Sequence, residues 1–155
     1  MGVEIERKFL VKKGAEFVSS STSRLNICQG YLADNPDRVV RIRIIGEKAY
    51  LTIKSRNRGS FRYEWEYEIP FEDAKEMLGL PGVRTIVKTR YIIPVNGLKW
   101  ELDVFHEQLD GLILAEVELD DTDKEIDLPW FIDREVTDDS RYYNSNLIIA
   151  DRLPD

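Results

Sequence analysis

The chain has 155 residues, 43% of them hydrophobic and 33% charged, with a formal net charge of −7. That composition fits a single globular domain over 1–155 and excludes a disordered chain. An acidic surface argues against nucleic acid as partner. No apolar run is long enough to cross a bilayer, and charges stand early in the N-terminus where a secretory signal needs apolar residues, so a cytoplasmic protein is expected.

Residues 3–11 alternate apolar and charged side chains and predict a strand. The polar stretch 12–23 predicts a short helix or a loop. Residues 26–32 read as a strand, followed by the turn Asp34-Asn35-Pro36-Asp37. Strands at 38–45 and 48–55 flank Gly46-Glu47 and predict a hairpin. Asn57-Arg58-Gly59-Ser60 is the next turn, before a strand at 61–69. Residues 71–80 have helical spacing and stop at Pro81-Gly82. Strands follow at 85–94, 98–105 and 112–119, the first two joined by Val95-Asn96-Gly97. Residues 138–150 predict a terminal helix with Asp138 or Asp139 as N-cap. About eight strands with few helices predict a mainly β (α+β) fold, a closed eight-stranded antiparallel barrel with a few flanking helices.

The polar faces of these strands are unusual. They carry Glu4, Glu6 and Lys8; Arg41 and Arg43; Thr52 and Lys54; Arg62, Glu64, Glu66 and Glu68; Lys88 and Arg90; Glu101 and Asp103; Glu116 and Glu118. Taken one strand at a time, each is an ordinary solvated face. Taken together they repeat like charges at i and i+2, roughly 7 Å apart, which repel unless an opposite charge lies between them. Paired carboxylates become a site with a divalent cation, and paired Arg and Lys with a phosphate chain. Curling the sheet until the charged faces meet gives a lumen for a polyanion and its metal. The apolar faces are then expected to lie under flanking helices or a partner, a homodimer among the options. Replacing a lumen carboxylate such as Glu116 with Gln is expected to remove activity and to relieve repulsion in the metal-free protein.

Cys28 is the lone cysteine, which excludes an intramolecular disulfide. His106, the single histidine, excludes a histidine-rich metal site and weakens any Ser-His triad; it reads as an ordinary strand-end residue.

Glu4-Ile5-Glu6-Arg7-Lys8 is an E-x-E-x-K run. Together with Arg41-Ile42-Arg43, Thr52-Ile53-Lys54, Glu64-Trp65-Glu66, Lys88-Thr89-Arg90, Glu101-Leu102-Asp103 and Glu116-Val117-Glu118, it resembles the CYTH domain of the triphosphate tunnel metalloenzyme superfamily. The resemblance covers nearly the whole chain and is to the short bacterial inorganic triphosphatases. It implies a tunnel barrel in which Lys8, Arg41, Arg43, Lys54, Lys88 and Arg90 hold phosphate, with Arg134 closing the basic ring from the C-terminal segment. It implies that Glu116 and Glu118, helped by Asp103, hold Mg²⁺ or Mn²⁺, one or two ions, and that Glu4 and Glu6 hold a second cation or position water. Lys8, Glu4 and Glu6 are the catalytic candidates, and Glu64 and Glu66 form an acidic wall. The expected partner is a small-molecule triphosphate, with tripolyphosphate leading and neither nucleic acid nor membrane. The alternatives are an adenylate cyclase, a hydrolase of nucleoside or thiamine triphosphate, and a non-catalytic polyphosphate or nucleotide binder. Tyr31, Tyr50 and Phe61 are the candidates for an aromatic shelf under a base, with core or barrel exterior as their plainer reading.

Overall fold

The computed structural model describes residues 2–121, 124–150 and 153–154. The strands are β1 (Gly2–Val11), β2 (Ser23–Asn35), β3 (Arg38–Ile45), β4 (Lys48–Ser55), β5 (Phe61–Ile69), β6 (Thr85–Val95), β7 (Leu98–Phe105), β8 (Ile113–Glu118) and β9 (Ile132–Glu135). The α-helices are α1 (Phe71–Leu78) and the single turn α2 (Asn144–Leu147). All the pairings are antiparallel, in the order β5-β4-β3-β2-β6-β7-β8-β1-β9, and β1 also pairs with β5. That last pairing closes β1 to β8 into an eight-stranded barrel. β1 pairs with β5 over residues 2–5 and, further along, with β9, which takes over the edge that β5 leaves.

The tight connections follow from local chemistry. Asn96 and Gly97 have φ of 51° and 77°, and a two-residue hairpin turn with positive φ at both positions favours this dipeptide. α1 stops at Gly79, and the chain turns away through Pro81-Gly82.

Three apolar clusters hold the barrel. Outside, Phe9, Trp100, Leu102, Ala115 and Val117 pack with Phe17, Leu119, Phe131 and Ile132. Elsewhere on the outside, Ala74 of α1 covers Ile42 and Ala49. The expected cover of flanking helices is therefore only partly helical. The larger cluster lies under the 3-10 turn Val18–Ser20, the chain leading into β9, and β9 itself, because rings such as Phe17 and Phe131 fill that groove without a helix. The third cluster lies at one end of the barrel. Ile86, Phe105 and Leu114 continue the inward-facing rows of Lys88, Asp103 and Glu116, and they pack against Val136, Tyr142, Leu147 and Ile148.

The C-terminal segment departs from its expected form. Residues 138–150 are not one helix; they form a 3-10 turn at Ser140–Tyr142 and then α2. Asp139 does cap the first turn, its side chain accepting from the Arg141 N–H. The helix breaks because Tyr143 is extended and the Tyr142 carbonyl accepts from Lys8 Nζ at 3.0 Å. β9 lies where no strand is expected.

Candidate active site

Residues opposite one another on paired strands share a face, so the register itself assembles the lumen. Glu4 faces Arg62, Glu6 faces Glu118, and Lys8 faces Glu116. Arg41 faces Thr52, which faces Glu66, while Lys54 faces Glu64. Arg90 faces Asp103, and Glu101 faces Glu116. The cavity is about 910 Å³, and its walls include Glu4, Glu6, Lys8, Arg41, Arg43, Lys54, Glu64, Glu66, Arg90, Glu116 and Glu118.

The charges are matched unevenly. Lys54 Nζ donates to Glu4 Oε2 at 2.6 Å, and Arg62 lies 3.9 Å from the other oxygen. Burial pushes the Glu4 carboxyl up, but Lys54 and its neighbours outweigh it and hold the group well below the usual range. Glu116 behaves alike: burial opposes ionisation, and Lys8 at 3.6 Å with Arg90 at 3.9 Å more than offset it. Glu6 is the exception. No cation reaches it at salt-bridge distance among the described residues, and burial, Glu116 and Glu4 push it well above the ordinary value. Glu64 is raised to about 7 by burial and by its contact with Glu4.

The basic groups are held individually. Arg90 forks onto Asp103, with Nε to Oδ1 at 2.7 Å and Nη2 to Oδ2 at 2.9 Å, and reaches Glu101 at 2.8 Å. Arg41 donates to Thr52 Oγ1 at 3.2 Å, and its buried Nε has no partner among the described residues. Arg43 donates to Gln29 Oε1 at 2.9 Å. Burial, followed by the neighbouring Arg41 and Arg90, lowers Arg43 to about 9.

The CYTH domain family matches the chain over residues 2–146. The chain belongs to the CYTH family. The inorganic triphosphatase of Acetivibrio thermocellus is 41% identical over 149 residues, covering 96% of this chain and 94% of that protein. That of Nitrosomonas europaea is 37% identical over 153 residues, covering 95% and 97%. The crystal structure of the inorganic triphosphatase NE1496 matches with a TM-score of 0.66 at 36% identity, covering 97% of each chain.

Three expected site residues stand elsewhere in this CYTH barrel. Lys88 and Asp103, each 1% exposed, lie beneath the cavity wall. Lys88 Nζ donates to Asp103 Oδ2 at 2.6 Å, and burial lowers the Lys88 ammonium to about 8. Both Asp103 oxygens therefore accept from cations, which makes Asp103 an anchor for Arg90 and Lys88 where it was expected to help hold a metal. Arg134 is exposed in a separate groove with Arg7 and Glu135, because β9 runs outside the closed ring; it does not complete the basic ring.

Other wall residues were not singled out as site residues. Arg62 and Glu101 share the inward parity of their neighbours, so alternation carried their signal. Tyr143, Asn144 and Asn146 come from the irregular C-terminal segment, where no periodicity marks a face. Tyr31 lines the cavity, whereas Tyr50 and Phe61 do not. His106 Nε2 bonds Thr89 Oγ1 at 2.7 Å away from the cavity wall.

Proposed function

We propose that this CYTH chain, acting over 1–155 as one tunnel domain in the cytoplasm, is a metal-dependent inorganic triphosphatase that cleaves tripolyphosphate. The observation that carries the reading is a single cavity whose wall holds Arg41, Arg43, Lys54 and Arg90 together with Glu4, Glu6, Glu116 and Glu118. Such a wall gives a polyphosphate its counter-charges and leaves carboxylate oxygens for a cation.

The donor set fits Mg²⁺ or Mn²⁺. Glu4 and Glu6 on β1 and Glu116 and Glu118 on β8 are hard oxygen donors on adjacent strands, and Glu6 has no ion-pair partner among the described residues. No group of three such donors among the described residues is arranged to hold a metal unaided. That suits a cation that takes one or two carboxylates and completes its shell on phosphate oxygens. Glu116 and Glu118 are assigned to the first ion, with Glu4 and Glu6 beside a second. When bound, the cation neutralises charge developing on the phosphate chain.

Phosphoryl transfer asks the protein for alignment and charge neutralisation. Arg41, Arg43, Lys54 and Arg90 grip the chain, and Lys8, fixed by the Tyr142 carbonyl, neutralises the reacting end. Glu4 is engaged by Lys54, so Glu6 is the carboxylate placed to take a proton from the attacking water. The water oxygen bonds to the terminal phosphorus, the phosphoanhydride bond breaks, and pyrophosphate leaves with the bridging oxygen. Glu64 and Glu66 brace Lys54 and Arg41.

Phosphate release from tripolyphosphate, ATP and thiamine triphosphate, each with Mg²⁺, Mn²⁺ or EDTA, tests the reading. Tripolyphosphate is expected to be cleaved fastest, with activity lost in EDTA. Cyclic AMP and pyrophosphate from ATP as the main products would replace the hydrolase with a cyclase.

A further inference from the structure

Arg43 stands apart from Lys8, Lys54 and the other arginines of the wall. Lys54 lies 2.6 Å from Glu4, Lys8 3.6 Å from Glu116, Arg41 3.6 Å from Glu66 and Arg90 2.7 Å from Asp103. Among the described residues no carboxylate comes as close to Arg43. Its Nε donates instead to the neutral amide of Gln29, directly opposite on β2.

Gln29 is fully buried, at 0% exposure, and its Nε2 has no hydrogen-bond partner among the described residues. An orphaned buried donor is destabilising, so folding alone gives no reason for an amide here. A glutamate of the same shape would add an ion pair to Arg43. It would also cancel the one wall guanidinium that, among the described residues, has no carboxylate at salt-bridge distance.

We infer that Gln29 is a positioning residue that sets affinity for the phosphate chain. It fixes the Arg43 guanidinium through Nε and puts no contacting carboxylate on it, with both terminal nitrogens for phosphate oxygens. Arg90, by contrast, spends Nε, Nη1 and Nη2 on Asp103 and Glu101. The two arginines grip the chain differently: Arg90 is braced on carboxylates, and Arg43 offers phosphate a fork whose terminal nitrogens are unclaimed among the described residues.

The inference rests on the proposed role of Arg43 in gripping the substrate, and the test separates the two. Steady-state kinetics on tripolyphosphate with Mg²⁺ and thermal melting compare Gln29→Glu, Gln29→Met and Arg43→Met with the native protein. Gln29→Glu is expected to melt at or above the native temperature while KM rises about tenfold or more, with kcat changed less. Gln29→Met keeps the Arg43 charge and loses only the Nε acceptor, so its KM rises by a smaller factor. A native KM in Gln29→Glu, while Arg43→Met raises KM, overturns the inference alone. A native KM in Arg43→Met sinks the role of Arg43 and the inference with it. Equal losses in the Glu and Met variants mean packing rather than charge, and also overturn it. If Gln29→Glu does not fold, Gln29→Met decides: a raised KM with kcat largely kept supports the inference, and an unchanged KM rejects it.

Discussion

Glu6 and Glu116 share one lumen and carry opposite loads. Glu116 has Lys8 and Arg90 beside it, so removing its charge leaves two buried cations less compensated. Glu6 meets burial, Glu116 and Glu4 with no cation at contact distance among the described residues. The expected relief of repulsion on neutralising a carboxylate therefore belongs to Glu6 and not to Glu116. Melting in EDTA should show Glu6→Gln above the native protein and Glu116→Gln below it, each by roughly 3 °C, about 1 kcal/mol for a chain of this size. Both variants should keep the fold by circular dichroism and lose about a hundredfold in kcat/KM, or roughly 2.7 kcal/mol of transition-state binding. A Glu116→Gln protein that turns over normally would remove that carboxylate from the chemistry. A melting order opposite to the one stated would overturn the charge account.

At the scale of elements, strands whose faces alternate were legible in the sequence, and β3, β4 and β5 have the expected bounds. β9 was not, because four residues, Ile132–Glu135, make no periodic run; pairing with β1 creates the strand. Arg7 and Glu135 clasp it, with Arg7 Nε and Nη2 donating to the two carboxylate oxygens at 2.9 and 2.7 Å. That hydrogen bonding holds Glu135 below its ordinary value of 4.5. A depressed carboxyl contributes stability above its unfolded pKa and loses it as pH falls through the folded pKa. Glu135→Gln should thus cost under about 1 kcal/mol near neutrality, the pair being largely solvated, and nothing in strong acid. Denaturant titrations of both proteins across pH 7 to 3 check the convergence. The terminal segment misled for a different reason. Its apolar spacing suits a helix, but Ser, Tyr and Asn are weak helix formers, and Lys8 claims the Tyr142 carbonyl. Leu147, 0% exposed, secures this segment in the barrel end. Leu147→Ala should cost about 2–5 kcal/mol and lower kcat by loosening the carbonyl that holds Lys8. A large stability loss with kcat intact would uncouple the segment from Lys8.

The whole molecule is a barrel whose inward rows of charge meet only on closure, and this decides substrate preference. Which strand residues face the lumen was legible from alternation, whereas the wall residues of the C-terminal segment were not. The matching of each cation to a partner was not, because it depends on strand order, which brings β1 beside both β5 and β8. Hence Lys88 and Asp103 satisfy each other under the wall, while Arg43 is held by the Gln29 amide and by no carboxylate at contact distance among the described residues. Tripolyphosphate presents charged phosphate at both ends to such a wall. ATP replaces one end with adenosine, which must find a shelf and hydrogen-bond partners to compete. Tyr31 lines the cavity, as do Tyr143 and Asn144, so the space is not closed to a base. Yet Tyr31 lies next to Arg41 in the barrel register, where charge gives phosphate the stronger claim. The expected outcome is a kcat/KM for tripolyphosphate at least about tenfold above that for ATP, a gap of about 1.4 kcal/mol. Tyr31→Phe should narrow neither value by more than about twofold if the ring serves only as wall. Side-by-side kinetics with one metal and one buffer check both statements. A higher kcat/KM for ATP, or a selective loss of ATP turnover in Tyr31→Phe, would mean that the lumen reads the nucleoside as well as the phosphate chain.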